Sequence, residues 1–185
     1  MRIEVLGCSG GMGEGRHTTS YRVDDDILVD AGTGLTTLSR DAIRRIDHVF
    51  LTHAHLDHIL CLPLLLDSVA GERERPVTVH AIPEVIATLG EHLFNWRLWP
   101  DFAVLPTEEA PFLRYQPLQV GVPVRLGERE FTAVPAVHVV PAVGYLMRGS
   151  RGSYLFSGDT THNPALWDTA NATADLLHVG VECSF

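Results

Sequence analysis

The hydrophobic positions of the chain fall into short segments rich in β-branched residues, separated by polar or turn-forming residues. Apolar segments of this kind are typical of strands that are buried or half buried in a sheet. The sequence therefore predicts strands at 3–6, 20–23, 27–29, 48–51, 77–80, 131–134, 143–147, 154–156 and 176–181.

Between several of these strands the apolar residues recur at helical spacing, which predicts helices at 35–45, 59–70, 83–96 and 164–172. Pro83 and Pro164 fall at helix-start positions, where the missing N–H is not needed. The segments 71–76 and 100–117 are predicted to be loops. Because the order of elements is neither strict β-α-β alternation nor all-β, we expect one layered α/β or α+β domain over residues 1–185.

The strand predicted at 48–51 runs directly into the sequence HAHLDH at 53–58. Alternation at the strand exit points His53 and His55 to the same side, and the next turn brings Asp57 and His58 to an adjacent position. Zn²⁺, Mn²⁺ and Fe²⁺ all accept imidazole and carboxylate ligands, and burying these groups without metal or solvent would be costly. A solvated histidine-rich loop is the alternative, but the density of the motif favours a metal site.

Two more candidate ligands follow later strands. His138 comes after the apolar run 131–137, and Asp159 comes after the strand predicted at 154–156. A histidine among valines is more often structural, and an aspartate after glycine is often a turn former. With the first motif present, both residues become candidates for metal ligation.

Composition restricts the chemistry and the partners. The formal net charge is −9 and all 14 basic residues are arginine, so Schiff-base and other lysine chemistry is excluded. A nucleic-acid partner is not expected, because binding its backbone requires a basic surface. A small anionic substrate held by metal ions remains compatible with the acidic charge.

Cysteine usage and the N-terminal sequence indicate a soluble, cytoplasmic protein. Cys8, Cys61 and Cys183 are widely spaced and form no C-x-x-C pair, so neither a disulfide framework nor a zinc finger is indicated. The first strand reaches Gly7 too soon for a signal peptide, and no apolar run approaches the ~18 residues of a membrane span.

A second possible nucleophile motif lies near the N-terminus, where the sequence GCSGG at 7–11 matches the G-x-S-x-G pattern. That motif requires a helix directly after the serine, and the glycines that follow are poor helix formers, so Ser9 is not expected to be a nucleophile. Trp96, Trp99 and Phe102 are expected to form core or a cleft wall rather than a base-stacking platform.

Taken in order, the motifs resemble the metallo-β-lactamase fold superfamily over essentially the whole chain. The matching segments are 30–32 (DAG), 52–58 (THAHLDH), His138 and 156–160 (FSGDT). Leu56 and the segment 7–11 are similar to the class II cyclic-nucleotide phosphodiesterases rather than to the tRNA 3′-processing nucleases. The resemblance implies a four-layer αββα sandwich.

The resemblance also implies ligand sets for two metals. The first metal would be held by His53, His55 and His138; the second by Asp57 and His58, with Asp159 bridging both and Asp30 steadying the ligand loop. The family supplies a last histidine from beyond 182–185, whereas this chain stops at Phe185. We therefore expect a C-terminally incomplete fold and a weaker second site, completed by His162, a neighbouring subunit or water. The exposed sheet edge would favour oligomerisation, in the simplest case a homodimer.

Together these expectations predict a metal-dependent hydrolase. It would be a phosphoric diester hydrolase that acts on a cyclic nucleotide or related phosphate ester through metal-bound hydroxide. One or two Zn²⁺ ions, or Mn²⁺ or Fe²⁺, would be the cofactor. Asp57 would orient the nucleophile, and His162 is the candidate acid for the leaving oxygen. The alternatives are a tRNA-processing nuclease, an ester or thioester hydrolase of the same superfamily, and a non-catalytic metal-binding protein with an incomplete second site.

Overall fold

A computed structural model describes residues 1–183, and the chain divides into two compact units. The first unit comprises Arg2–Pro117, and the second comprises Met1 with the residues from Leu118 onward. Each unit contains one sheet with its helices. The expectation of a single domain over 1–185 stays a prediction. No helix in the described part of the chain is long and apolar enough to cross a membrane.

The first unit is a six-stranded sheet with four α-helices and two 3₁₀ turns. Its strands are β1 (Ile3–Gly7), β2 (Ser20–Val23), β3 (Ile27–Val29), β4 (His48–Phe50), β5 (Val77–Ala81) and β6 (Leu113–Pro117). Its helices are α1 (Arg40–Arg44), α2 (Leu56–Ile59), α3 (Leu62–Val69) and α4 (Pro83–His92), and the 3₁₀ turns are Thr33–Thr37 and Ala70–Glu72.

The strands of this sheet lie side by side in chain order, and their directions position the candidate site. β1, β2 and β3 pair antiparallel, whereas β3, β4, β5 and β6 pair parallel. Because parallel strands end at the same edge of a sheet, the residues that follow β3 and β4 meet there. Asp30 follows β3 and the HAHLDH motif follows β4, so the topology brings both to one edge.

The core of the first unit lies around the central parallel strands. Ile27, Leu28 and Val29 of β3 are all buried, as are Val49 and Phe50 of β4. Successive residues of a strand point to opposite faces, so burial of every residue means that both faces are covered. The strands that lead to the ligand motif are therefore among the most constrained parts of this unit.

The second unit is a five-stranded sheet with one helix. Its elements are β7 (Pro123–Leu126), β8 (Arg129–Pro135), β9 (Val143–Gly149), β10 (Gly152–Thr160), α5 (Pro164–Ala172) and β11 (Leu176–Cys183). β7 to β10 pair antiparallel in chain order, and β11 adds parallel to β10 through the α5 crossover. Val134, Leu146, Leu155 and Leu166 form a buried core in this unit.

All nine predicted strands are confirmed, with ends that shift by a few residues. The loop prediction for 100–117 is wrong at its end, because β6 occupies Leu113–Pro117. β7 was not predicted either. Only Leu113 of β6 is buried and no residue of β7 is, so neither strand carries the apolar pattern by which the others are recognised.

Two predicted helices are interrupted. The segment 35–45 forms the end of a 3₁₀ turn and then α1, which begins after Ser39, whose hydroxyl accepts a hydrogen bond from Ala42 N at 3.3 Å. The segment 59–70 is divided between α2 and α3. Because α2 begins at Leu56, the second half of the HAHLDH motif is helical rather than a simple turn.

Candidate metal centre

The HAHLDH motif forms a short loop that leaves β4 and enters α2. Thr52, His53 and His58 have no exposed surface, whereas His55 and Asp57 are partly exposed. His55 caps α2 with extended backbone angles, and His58 N donates to His55 O at 3.0 Å. This single helical turn fixes the order of the ligands along the loop and keeps Asp57 at its solvent-facing side.

The buried carboxylate of Asp30 binds this loop through three hydrogen bonds. Its Oδ1 accepts a hydrogen bond from Thr52 N at 2.8 Å, and its Oδ2 accepts from the Thr52 hydroxyl at 2.8 Å and from His58 Nδ1 at 2.8 Å. Asp30 has φ +59, a left-handed conformation that aspartate tolerates better than most residues. The expectation that Asp30 steadies the ligand loop agrees with these contacts.

The same network assigns the tautomers of two histidines. Since the Thr52 hydroxyl donates its proton to Asp30, its oxygen accepts from His53 Nδ1 at 3.0 Å. His58 Nδ1 likewise carries the proton that it donates to Asp30. In both rings the lone pair is therefore on Nε2, which is the form that binds a metal ion.

The histidine rings lie close together around this network. The His53 ring centroid is 4.7 Å from that of His55 and 4.1 Å from that of His58. His58 Nε2 lies 3.6 Å from Asp57 Oδ2. The four candidate ligands of the first unit are thus close together on one loop, and their role as ligands stays a prediction.

Close backbone packing keeps the loop in place. A Cβ atom on Gly32 would lie 2.2 Å from Asp57 O and 2.4 Å from Thr18 Oγ1, so no larger residue fits there. Ala31 N donates to His58 O at 2.6 Å, and Cys61 N donates to Ala31 O at 2.9 Å. The segment after β3 therefore holds α2 by its backbone as well as by Asp30.

The second unit brings its own two predicted ligands together. Asp159 lies near the end of β10 and His138 in the loop after β8, and His138 Nε2 is 3.7 Å from Asp159 Oδ2. Val137 N donates to Thr160 Oγ1 at 3.0 Å, and Thr161 N donates to Val137 O at 2.8 Å. These bonds anchor the histidine loop to the end of β10.

Glu182 of β11 joins this pair and was not predicted. It lies opposite Asp159 in the parallel register, with the two carboxylates within 4.8 Å of one another. Two carboxylates at such a distance repel unless a cation or a proton lies between them. The approach of Glu182 depends on the pairing of β10 with β11, for which the local sequence carries no signal.

His162 occupies a different environment from the other candidates. It is exposed in the turn between β10 and α5, next to Asn163, whose side chain accepts from Leu166 N at 3.2 Å and caps that helix. No close group of metal-ligating side chains within residues 1–183 includes His162. Its role as a replacement ligand or as an acid stays a prediction.

Two other sequence motifs, around Ser9 and around Trp96, lie outside the groups described above. The segment after Ser9 contains no helix, since β1 ends at Gly7 and the next element is β2, so the hydroxyl lacks the turn that a serine nucleophile requires. Phe102 is buried, in agreement with a place in the core, whereas Trp96 is 62% exposed at φ +64 and is not part of the core. The side-chain Oδ1 of Asn95 accepts from Arg97 N and Leu98 N and so holds the backbone of that turn.

Comparisons with known proteins connect these ligand groups to a family. A family profile described as the Beta-lactamase superfamily domain matches residues 25–183. The ribonuclease Z of Haloarcula marismortui is 30% identical over 158 residues, covering 80% of this chain and 47% of that protein. A probable 3′,5′-cyclic-nucleotide phosphodiesterase of Yersinia pestis is 28% identical over 128 residues, covering 54% of this chain and 36% of that protein.

A comparison with solved structures finds the same fold. The crystal structure of unliganded yeast PDE1 superimposes with a TM-score of 0.78 at 20% identity, covering 98% of this chain and 74% of that one. The chain spans about half the length, or less, of the two curated relatives, 47% and 36%. Since the family profile matches most of its residues, this chain belongs to the beta-lactamase superfamily and has the metallo-β-lactamase fold.

Proposed function

We propose that this protein is a metal-dependent hydrolase that cleaves phosphodiesters, with a cyclic nucleotide as the substrate. The observation that carries the proposal is the hydrogen-bond network of Asp30, which fixes His53 and His58 in the tautomer that offers Nε2 to a metal. A network of this kind has no evident use in a loop that merely faces solvent. Superfamily membership supports the same conclusion, because its fold implies divalent-metal binding.

The donor set fits a divalent transition metal. The proposed ligands are His53, His55, Asp57, His58, His138 and Asp159. Imidazole with carboxylate suits Zn²⁺, Mn²⁺ and Fe²⁺, and we propose one or two Zn²⁺ ions. When bound, such an ion polarises a phosphoryl oxygen and lowers the pKa of water to about 7, so that a nucleophile forms near neutral pH.

The chain itself would position the reacting groups. Asp57 is one third exposed at the start of α2 and lies 3.6 Å from His58 Nε2, a position from which its carboxylate can orient a water molecule and accept its proton. Thr52 and Asp30 keep the two rings from rotating. We propose His162 as the acid that protonates the leaving oxygen, because its exposed imidazole stands next to β10, which carries Asp159.

The choice of substrate rests on charge. A net charge of −9 disfavours binding to a long polyanion, since affinity for a nucleic-acid backbone depends on many phosphate contacts to basic residues. A cyclic nucleotide carries one phosphate, which metal ions alone can neutralise. A tRNA precursor is the second candidate, because the ribonuclease Z of Haloarcula marismortui aligns with 80% of this chain.

A substrate panel tests the proposal. Purified protein with Zn²⁺ or Mn²⁺ would be assayed on cyclic AMP, cyclic GMP, a bis-aryl phosphate and a tRNA precursor. We expect hydrolysis of a cyclic nucleotide, a loss of at least about a hundredfold in His55→Ala, and no change in His92→Ala, whose side chain is 68% exposed on α4. Preference for the tRNA precursor would replace the substrate assignment, and full activity of His55→Ala would overturn the metal-dependent mechanism.

The same preparation separates an enzyme from a protein that only binds metal. Elemental analysis of the protein as purified gives the metal content for each chain. Bound metal without turnover of any substrate in the panel would support the non-catalytic alternative.

A further inference from the structure

A surface cleft of about 330 Å³ in the first unit is lined almost entirely by charged side chains. We call it the arginine cleft, and its lining residues are Arg44, Arg45, Asp47, Glu72, Arg73, Glu74 and Arg75. Arginines outnumber carboxylates here, whereas over the whole chain the net charge is −9. The cleft is therefore a positive site on an acidic protein.

Arg73 forms a fixed wall of the arginine cleft. Its side chain is only 9% exposed and donates to Asp47 Oδ1 at 2.5 Å, to Arg75 O at 3.3 Å and to Arg44 O. These bonds connect the end of α1, the residue before β4 and the segment before β5. Through Arg73, one wall of the cleft is held by two backbone carbonyl groups and the carboxylate of Asp47.

Most of the negative charge in the arginine cleft is already neutralised. Asp47 binds both Arg73 and Arg75, the latter at 3.2 Å. Glu72 is paired at 2.6 Å with Arg40, which does not line the cleft and whose hydrogen bond and charge lower the pKa of Glu72. Glu74 is then the lining carboxylate that has no ion pair with an arginine within residues 1–183.

Two arginines remain available in the arginine cleft. Arg44 lies 4.0 Å from Asp41, which is too far for a strong ion pair, and its charge helps to lower the pKa of Glu72 without a hydrogen bond between the two side chains. Arg45 is exposed, and no ion pair or hydrogen bond of its guanidinium occurs within the described chain. Both side chains can therefore bind an anion from solution without breaking an existing contact.

The arginine cleft is separate from the candidate metal centre. Asp47 stands directly before β4, whereas the HAHLDH loop follows the other end of the same strand. Arg75 similarly precedes β5, which runs parallel to β4. The cleft is thus at the edge where the parallel strands begin, and the metal ligands of this unit are at the edge where they end.

We propose that the arginine cleft binds the phosphate group of a small phosphorylated molecule. Guanidinium groups match phosphate geometry through paired hydrogen bonds and remain charged at all relevant pH values. The volume is at the lower end of the range for small-molecule sites. The chemistry that is recognised is a phosphate dianion, which inorganic phosphate or a nucleoside monophosphate can supply.

Titration calorimetry on the full chain tests this site. His55→Ala serves as the background, because phosphate could otherwise bind at the metal centre. We expect the His55→Ala protein to bind inorganic phosphate or AMP at one saturable site. Adding Arg44→Gln and Arg45→Gln to this protein should weaken the binding at least about tenfold. The matched control is Arg125→Gln, whose side chain is 78% exposed and paired with Glu130 in the second unit; it should leave the affinity unchanged.

The outcomes are distinct from those of the hydrolase proposal. Stronger binding of AMP than of phosphate would support a nucleotide as the occupant, and equal binding would support phosphate alone. The proposal would be wrong if the His55→Ala protein shows no saturable binding of phosphate or AMP. It would also be wrong if adding the two arginine substitutions leaves the affinity unchanged. In the otherwise wild-type chain, the double arginine substitution should leave phosphodiester hydrolysis intact, so failure of one proposal does not affect the other.

Discussion

Asp30 shows how much of the candidate metal centre depends on one residue that would not bind metal itself. Its carboxylate is completely buried, which is unfavourable unless the charge is met by hydrogen bonds. Thr52 supplies two of these bonds and His58 the third. Asp30 therefore orients His58 directly and His53 through the Thr52 hydroxyl, so that two rings respond to one carboxylate.

Thr52→Val tests whether the Thr52 hydroxyl, which connects Asp30 to His53, contributes to metal binding. The substitution preserves shape but removes the hydroxyl that accepts from His53 Nδ1, so the ring is no longer fixed. We expect Zn²⁺ affinity to fall by about 10–100-fold, the usual effect of losing such a partner, while Thr52→Ser stays near wild type. Competition with a chromogenic chelator measures both, and urea unfolding checks that the variants fold. Wild-type affinity in Thr52→Val would mean that the hydrogen bonds of the Thr52 hydroxyl have no role in metal binding.

Gly32→Ala tests the close contact beneath the ligand loop. Because the added Cβ would lie 2.2 Å from Asp57 O, the backbone must move, and we expect a loss of more than about 2 kcal/mol in the free energy of unfolding. Gly90→Ala is the matched control, since nothing lies within 4 Å of its Cβ position on α4. It should gain about 0.5–1 kcal/mol from helix propensity. Similar urea midpoints for the two variants would contradict this interpretation.

At the scale of elements, β4 and β5 carry a pair of histidines, of which His80 is buried and His48 is partly exposed. His80 is 3% exposed and stacks on Phe50 with centroids 4.3 Å apart, and its Nε2 lies 3.0 Å from His48 Nδ1. Burial, with a smaller contribution from the charge of His48, lowers the pKa of His80 to about 4. The neutral ring is therefore part of the packing between these strands.

This pair predicts a specific loss of stability in acid. The pKa of His80 is about 4 in the folded state and near 6.5 when unfolded, so protons bind the unfolded chain more tightly. The contribution of the neutral His80 ring to the free energy of unfolding is fully present above pH 6.5. It is lost as the pH falls to about 4, which lowers the free energy of unfolding by at most about 3 kcal/mol. His80→Phe should flatten this part of the profile, whereas His92→Phe should not. Urea unfolding from pH 4 to pH 8 gives the comparison, and parallel profiles for wild type and His80→Phe would refute it.

The elements also show what could be predicted from the sequence and what could not. β3 is apolar at every position and β4 at Val49 and Phe50, and the two strands are followed by Asp30 and the HAHLDH motif, so the strands and the candidate ligands are visible in the local sequence. β6 and β7 are largely exposed and have no such pattern. Glu182 approaches Asp159 only because β10 and β11 pair in parallel, a contact between strands that local sequence does not encode.

At the scale of the whole molecule, the acidic charge and the dense set of histidine and carboxylate ligands favour binding of cations over binding of polyanions. Family membership supports the same view. The chain divides into two units, each with its own group of candidate ligands. Metal binding should therefore stabilise the folded protein as a ligand does, by mass action.

Metal removal tests this expectation. At a free Zn²⁺ concentration one hundred times the dissociation constant, the folded state gains about 2.7 kcal/mol, so chelation should lower the melting temperature by several degrees. His53→Ala should melt at the same temperature with and without chelator, whereas His92→Ala should show the full shift. Differential scanning calorimetry measures each value. An unchanged melting temperature of the wild type in chelator would argue against a metal centre.

The bonds from Asp30 to Thr52 and His58 have a kinetic consequence. They join protein groups to one another, so the geometry of His53 and His58 is organised before any ion arrives. Zinc fingers, by contrast, fold only as they bind metal. Ion uptake by this chain should therefore be accompanied by little change in heat capacity or in backbone amide exchange. One divalent ion should replace another without unfolding, so that the ion present in the cell, rather than the fold, determines which metal is bound.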